Sequence, residues 1–183
     1  MQQSKNHIRK LFDEIFRDNK NAFDELFRAY YANLLRFARN YVADTGQAEE
    51  IVSDVFVWIW MNRAAINTID NPEVYLFTAV KNRCFNASRS NTRLVSMDEY
   101  RETENNASES PLTQMEQKEL SEKLHAIIEN LPEQQRIVFR MIKENGLTAK
   151  QTAQILNLSS RTVETHIYKA VQQLEKEITE YLG

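Results

Sequence analysis

Ser160, Arg161, Thr162, Glu164, Thr165, His166 and Lys169 fall within one short stretch and supply cationic donors, hydroxyls that donate or accept, and a single carboxylate acceptor. That mixture matches the edges of base pairs in a major groove. Arg and Lys reach guanine edges or phosphates, Thr bonds either, and Glu accepts from cytosine. A second set, Thr78, Lys81, Asn82, Asn86, Arg89 and Arg93, recurs at helical spacing and predicts a cationic, hydrogen-bonding helix face. Catalytic patterns are missing by contrast. His7, His125 and His166 are far apart in sequence, and no His-Glu-x-x-His, Gly-x-Ser-x-Gly or phosphate-loop motif occurs. His125 and Glu129 share a helix face, but one such pair is too few for a metal site and reads as a surface polar pair. The lone Cys84 makes no internal disulfide and reads as a small buried hydrophobe. No catalytic residue, metal or cofactor is therefore expected.

The elements that would hold these side chains are helices. Only three glycines and three prolines interrupt 183 residues rich in helix formers, which predicts an all-α fold of two small helical domains joined by a flexible linker. Phe23, Leu26, Phe27, Tyr30, Leu34, Phe37, Ala38 and Tyr41 form one amphipathic stripe; Ala48, Ile51, Val52, Val55, Phe56 and Ile59 form the next. Asn71-Pro72 supplies a cap and a first-turn proline for a third helix carrying Val74, Phe77, Val80 and Cys84. Periodicity stops between Arg93 and Pro111, where the run ETENNASES at 102–110 is too polar to bury itself.

Beyond that segment, Met115, Leu120, Leu124, Ile127, Ile128 and Leu131 mark another helix. Pro132 opens the next, with Ile137, Val138, Met141 and Ile142, and Asn145-Gly146 ends it. Residues 148–151 read as a capping box before a short helix with Ala153, Ile155 and Leu156; Asn157 suits the turn, and Ser159 caps a helix whose buried stripe is Val163, Ile167, Ala170, Val171, Leu174 and Ile178. This is a helix-turn-helix pattern. A plain helical hairpin with a solvated polar face is the bland alternative.

Charge is unevenly spread. The net of −3 argues against strong autonomous duplex binding, since phosphate neutralisation dominates non-specific affinity. From 96 to 122, eight acids face two bases, so that stretch carries −6 and the remainder +3. The hydrophilic residues around Lys5 to Lys10 lack the apolar core of a signal peptide, and no run reaches membrane-spanning length. A cytoplasmic protein without membrane insertion is expected.

Four segments in order, 44–60 (DTGQAEEIVSDVFVWIW), 72–86 (PEVYLFTAVKNRCFN), 131–139 (LPEQQRIVF) and 146–174 (GLTAKQTAQILNLSSRTVETHIYKAVQQL), split by a polar linker, resemble the extracytoplasmic-function group of the sigma-70 family. The similarity runs from about Asn21 to Leu174. Asn86 stands where the family often has aspartate, and Asn157 where the turn often has glycine. The resemblance implies a region 2-like domain at 1–93, an acidic linker at 94–114 and a region 4-like helix-turn-helix domain at 115–183. It implies core RNA polymerase as a partner, through its clamp helices and flap, together with promoter DNA and an anti-sigma factor.

Under that resemblance Glu50, Asp54, Val57 and Trp58 would face the polymerase. Val57, Trp58 and Trp60 exceed what the core stripe of their helix needs, although tryptophans that simply fill the core are the alternative. The loop at 64–71, with Asn67 and Thr68, could hydrogen-bond an unstacked base, and Lys81, Asn82, Arg83, Asn86 and Arg89 would hold the minus-10 strand. The residues from Ser160 to Lys169 would read the minus-35 groove. The competing function is an autonomous helix-turn-helix regulator, because 146–174 also resembles the output domain of response regulators; the first domain, however, shows no phosphoacceptor or ligand motif.

Overall fold

Ile8, Leu11, Phe12 and Ile15 recur at steps of three and four, and in the computed structural model they are the buried stripe of α1 (Gln2–Phe16). The structure describes residues 2–90 and 111–182, with side chains described at 7–87 and 119–181. The N-terminal stretch, expected only as a hydrophilic segment, is thus a helix. Its polar residues occupy the outer face, so average hydrophilicity concealed a narrow apolar seam.

Asp18, in the left-handed region at φ 67°, ends that helix. Asn19 then caps α2 (Lys20–Ala38), its side chain accepting from Asn21 N at 3.0 Å and Ala22 N at 3.3 Å. Asp44 caps α3 (Thr45–Met61) by accepting from Gln47 N at 2.7 Å. A single 3₁₀ turn (Ile66–Thr68) leads to α4 (Pro72–Ser90), where Asn71 Oδ1 accepts from Val74 N at 3.3 Å. Leu26, Leu34, Val52, Phe56, Ile59, Leu76, Phe77 and Val80 close the core between α2, α3 and α4, and α1 packs against α2 and α4. Phe37 meets Phe77 edge-on at 5.2 Å and 77°, a geometry that adds about 1 kcal/mol beyond area burial. Phe27, placed on the apolar stripe, lies at the margin: it contacts Phe56 at 4.9 Å yet stays exposed.

After the acidic segment, whose residues 94–110 lie outside the described residues, come α5 (Pro111–Glu129) and α6 (Glu133–Phe139). The chain is helical from Pro111, so 111–114, expected as linker, belong to α5. A π turn (Arg140–Glu144) then widens the helix before Gly146, at φ 67°, ends it. Short α7 (Ala149–Leu156) and long α8 (Ser160–Leu182) flank Asn157, which holds the expected left-handed conformation at φ 57°. Among the described residues no strand occurs, and the all-α class holds.

The described residues form two compact units, one built of α1 to α4 with α7, the other of α5, α6 and α8. The second has its own core of Ile127, Ile128, Leu131, Ala170 and Leu174, with Phe139 and Ile178 packed on it.

Cys84 is 0% exposed, its Sγ 3.9 Å from the Ala38 carbonyl, and burial pushes its pKa up to about 11. Because the folded value is raised above the ordinary 9.0, stability is intact below pH 9 and declines as pH rises toward 11, where the unfolded chain loses the proton first. Cys84 should resist an aromatic disulfide reagent in the native protein and react at once in denaturant; equal rates would show that the thiol is not enclosed.

Candidate nucleic-acid interface

Ser159 starts α8 as expected, its hydroxyl accepting from Thr162 N at 3.0 Å and lying 2.7 Å from Thr162 Oγ1. Val163, Ala170 and Leu174 turn inward, which leaves Ser160, Arg161, Glu164, Thr165 and Lys169 exposed. Thr165 Oγ1 donates to Arg161 O at 2.9 Å, so its free lone pairs face outward as acceptors. Thr162 and His166 are half-buried, and His166 Nδ1 is enclosed without a hydrogen-bond partner. Tyr168 was not among the residues that type and spacing singled out. It is 62% exposed beside Thr165 and Lys169, its hydroxyl taking a 2.7 Å hydrogen bond from Gln172. Its place between Ile167 and Lys169, outside the apolar stripe, was the available signal.

In the same unit, Glu129 gathers basic side chains from α5, α6 and the π turn. It pairs with Arg140, lies 3.8 Å from Arg136 Nη1 and 3.5 Å from His125 Nε2, while its carbonyl accepts from Arg136 at 2.7 Å. The His125–Glu129 pair is therefore one corner of a structural ion network. Among the described residues no group of three or more His, Cys, Asp or Glu could hold a metal.

In the other unit, Asn67 and Thr68 are exposed on the 3₁₀ turn, and Asn82 and Asn86 on α4. Arg83 is half-buried near Tyr75, whose hydroxyl pKa is raised by burial and drawn partly back by Arg83. Lys81 departs from the outward face. It is buried, desolvation lowers its pKa, and its ammonium donates to the Ile155 carbonyl of α7. Alongside it, Gln151 donates to Glu73 at 3.3 Å. Arg89 lies in the last turns of α4, its side chain outside the described residues.

On α3, Glu50 and Asp54 are exposed with Val57 at 58%, Trp58 at 37% and Met61 at 73%. The two tryptophans part company. Trp60 packs on Phe23 at 5.1 Å beneath the Arg63 guanidinium at 4.6 Å, whereas Trp58 lies over Tyr75 at 5.7 Å with its edge in solvent. The result is an apolar strip with an acidic border, a surface suited to a protein partner.

Two family models match this chain: Sigma-70 region 2 over residues 26–94 and Sigma-70, region 4 over residues 121–174. The RNA polymerase sigma-H factor of Pseudomonas aeruginosa is 23% identical over 91% of this chain and 91% of its own length. The ECF RNA polymerase sigma factor SigM of Bacillus subtilis is 24% identical over 83% and 92%. The fold is similar to that of the sigma factor RpoE in its complex with the anti-sigma factor NepR from Bartonella quintana, with TM-score 0.62 and 16% identity over 86% of this chain and 96% of that one. It is also similar to CnrH in complex with the cytosolic domain of CnrY, with TM-score 0.57 and 20% identity over 95% and 98%. An all-helical chain carrying both sigma-70 regions in this order is a transcription initiation factor, and it belongs to the extracytoplasmic-function group of the sigma-70 family. It acts as an alternative sigma factor, joining core RNA polymerase and directing promoter-specific initiation. Among the described residues no helix is long and apolar enough to cross a membrane.

The two tryptophans should separate in a urea titration. Trp60→Ala is expected to lower unfolding free energy by about 3 kcal/mol, and Trp58→Ala by about 1 kcal/mol or less. Equal losses would place both rings in the core.

Proposed function

We propose that the polymerase-facing surface is the strip of Glu50, Asp54, Val57 and Trp58 on α3, extended by Met61. The single observation that carries this reading is the exposure of Val57, Trp58 and Met61 on a helix whose core positions are already filled by Ala48, Ile51, Val52, Val55, Phe56 and Ile59. A solvated apolar run beside carboxylates is unfavourable in isolation and becomes useful once covered. Residues 1–93 then form the region 2 module and 111–183 the region 4 module, joined by 94–110.

The exposed face of α8 reads the minus-35 element. Arg161 and Lys169 take guanine edges or phosphates, Glu164 takes a cytosine amine, and Ser160, Thr162, Thr165 and His166 take backbone or bases. On the other module, Asn67 and Thr68 bond the edge of an unstacked minus-10 base while Asn82, Arg83, Asn86 and Arg89 hold the strand. Lys81 joins them only when the α7 carbonyl releases it. The protein performs no chemistry of its own; the polymerase supplies catalysis. A cytoplasmic location and sequestration by an anti-sigma factor fit the same reading, the second supported by the sigma factor RpoE, solved with the anti-sigma factor NepR.

The test is run-off transcription on genomic promoter fragments with sigma-free core polymerase and the purified chain. Selective transcripts are expected, with Trp58→Ala lowering affinity for core about tenfold or more, and Arg161→Ala lowering transcripts by about tenfold without loss of core binding. A chain that shifts duplex DNA alone and never joins core would overturn the polymerase surface.

A further inference from the structure

The turn carrying Asn67 and Thr68 is short, polar and exposed, yet it is held at several points. Ile66 is buried in the core, Thr68 Oγ1 donates to Ala65 O at 2.9 Å, and Ile69 N donates to Ile66 O at 3.1 Å. The remaining tie comes from α1, sixty residues earlier in the chain. The Arg9 guanidinium donates through Nη1 to the Ile69 carbonyl and through Nη2 to the Asn67 carbonyl at 3.3 Å. Its Nε lies 3.4 Å from Asp13 Oδ1, one turn further along α1. One planar fork thus spans the two carbonyls bracketing Thr68, with Asp13 fixing its orientation.

We infer that Arg9 is a positioning residue for base readout, setting the turn so that the side chains of Asn67 and Thr68 point where an unstacked minus-10 base arrives. This rests on the reading of that turn given above. Hydrogen-bond readout of a base edge needs donors and acceptors placed within a few tenths of an ångström, and an exposed turn without an external brace samples many arrangements. Arg9 contributes little to holding α1 in place, since Ile8, Leu11, Phe12 and Ile15 already anchor it. Its ion pair with Asp13 is solvent-exposed and of small energetic weight. The value of the guanidinium lies in its geometry, which the single ammonium of lysine does not reproduce.

The experiment uses holoenzyme assembled from core polymerase and the full chain, offered a pool of short single-stranded oligonucleotides randomised in sequence, with the bound fraction sequenced. Wild type should enrich one base strongly at one position. Arg9→Ala and Arg9→Lys should both lose about tenfold of that enrichment, with unchanged assembly on core and an unchanged melting temperature. Asn67→Ala should lose it as well. If Arg9→Ala keeps the full preference while Asn67→Ala loses it, the turn reads the base and the role of Arg9 is overturned. If wild type shows no base preference, or Asn67→Ala leaves it intact, the assignment of the turn falls and the inference falls with it.

Discussion

Each helix of the first unit has one apolar stripe to bury, and the way α2, α3 and α4 bury theirs together governs what that unit displays on the outside. Phe56, Phe77, Leu34 and Leu76 meet at the centre of that arrangement and are almost wholly withdrawn from water. A helix so committed has the rest of its circumference free, at fixed angles to the core. Glu50, Asp54, Val57 and Trp58 therefore present themselves on the outer side of α3, and Asn82 and Asn86 on that of α4, without any element dedicated to holding them. These exposed side chains take their direction from the core residues buried on the other side of each helix.

The second unit solves the same problem differently. Beside its cluster of Ile127, Ile128, Leu131, Ala170 and Leu174 it buries Ile137, Val138, Met141 and Val163, and polar buttressing supplements this core. Glu129 ties Arg136 of α6 and Arg140 of the π turn back to the end of α5, while Arg140 also lies 3.8 Å from Glu144 within that turn. Cations that would otherwise repel are brought close by one shared carboxylate. The enclosed Nε atoms of Arg136 and Arg140 and the Nδ1 of His166 make no hydrogen bond, so at those atoms the buttressing costs stability.

Long apolar stripes and cap residues were legible in the sequence because each rests on local chemistry. Asn71 and Ser159 cap where their side chains permit, and Asn157 takes the left-handed turn that few residues tolerate. What escaped depended on tertiary context. The α1 seam is four residues wide in a hydrophilic stretch, and the π turn at 140–144 leaves the three-and-four periodicity ambiguous. Lys81 belongs by spacing to a basic face, yet it lies beneath α7 because a partner distant in sequence supplies a carbonyl. Trp58 and Trp60, two positions apart, could be separated only once Phe23 and Arg63 were seen to claim Trp60.

The acidic balance of the chain fits its work as a polymerase-borne factor. Between Ser159 and Lys169 two cations are set against one carboxylate, so few phosphates are neutralised and duplex affinity at physiological salt stays weak. A regulator acting alone would need many more basic contacts or a dimer. A factor carried by polymerase has no such need, because docking raises the local concentration of promoter DNA to roughly millimolar values and turns weak contacts into effective ones. On the proposed reading, weak autonomous binding would serve specificity: the free protein would not linger on bulk DNA, and base-edge contacts, being a larger share of the total, would decide where initiation starts.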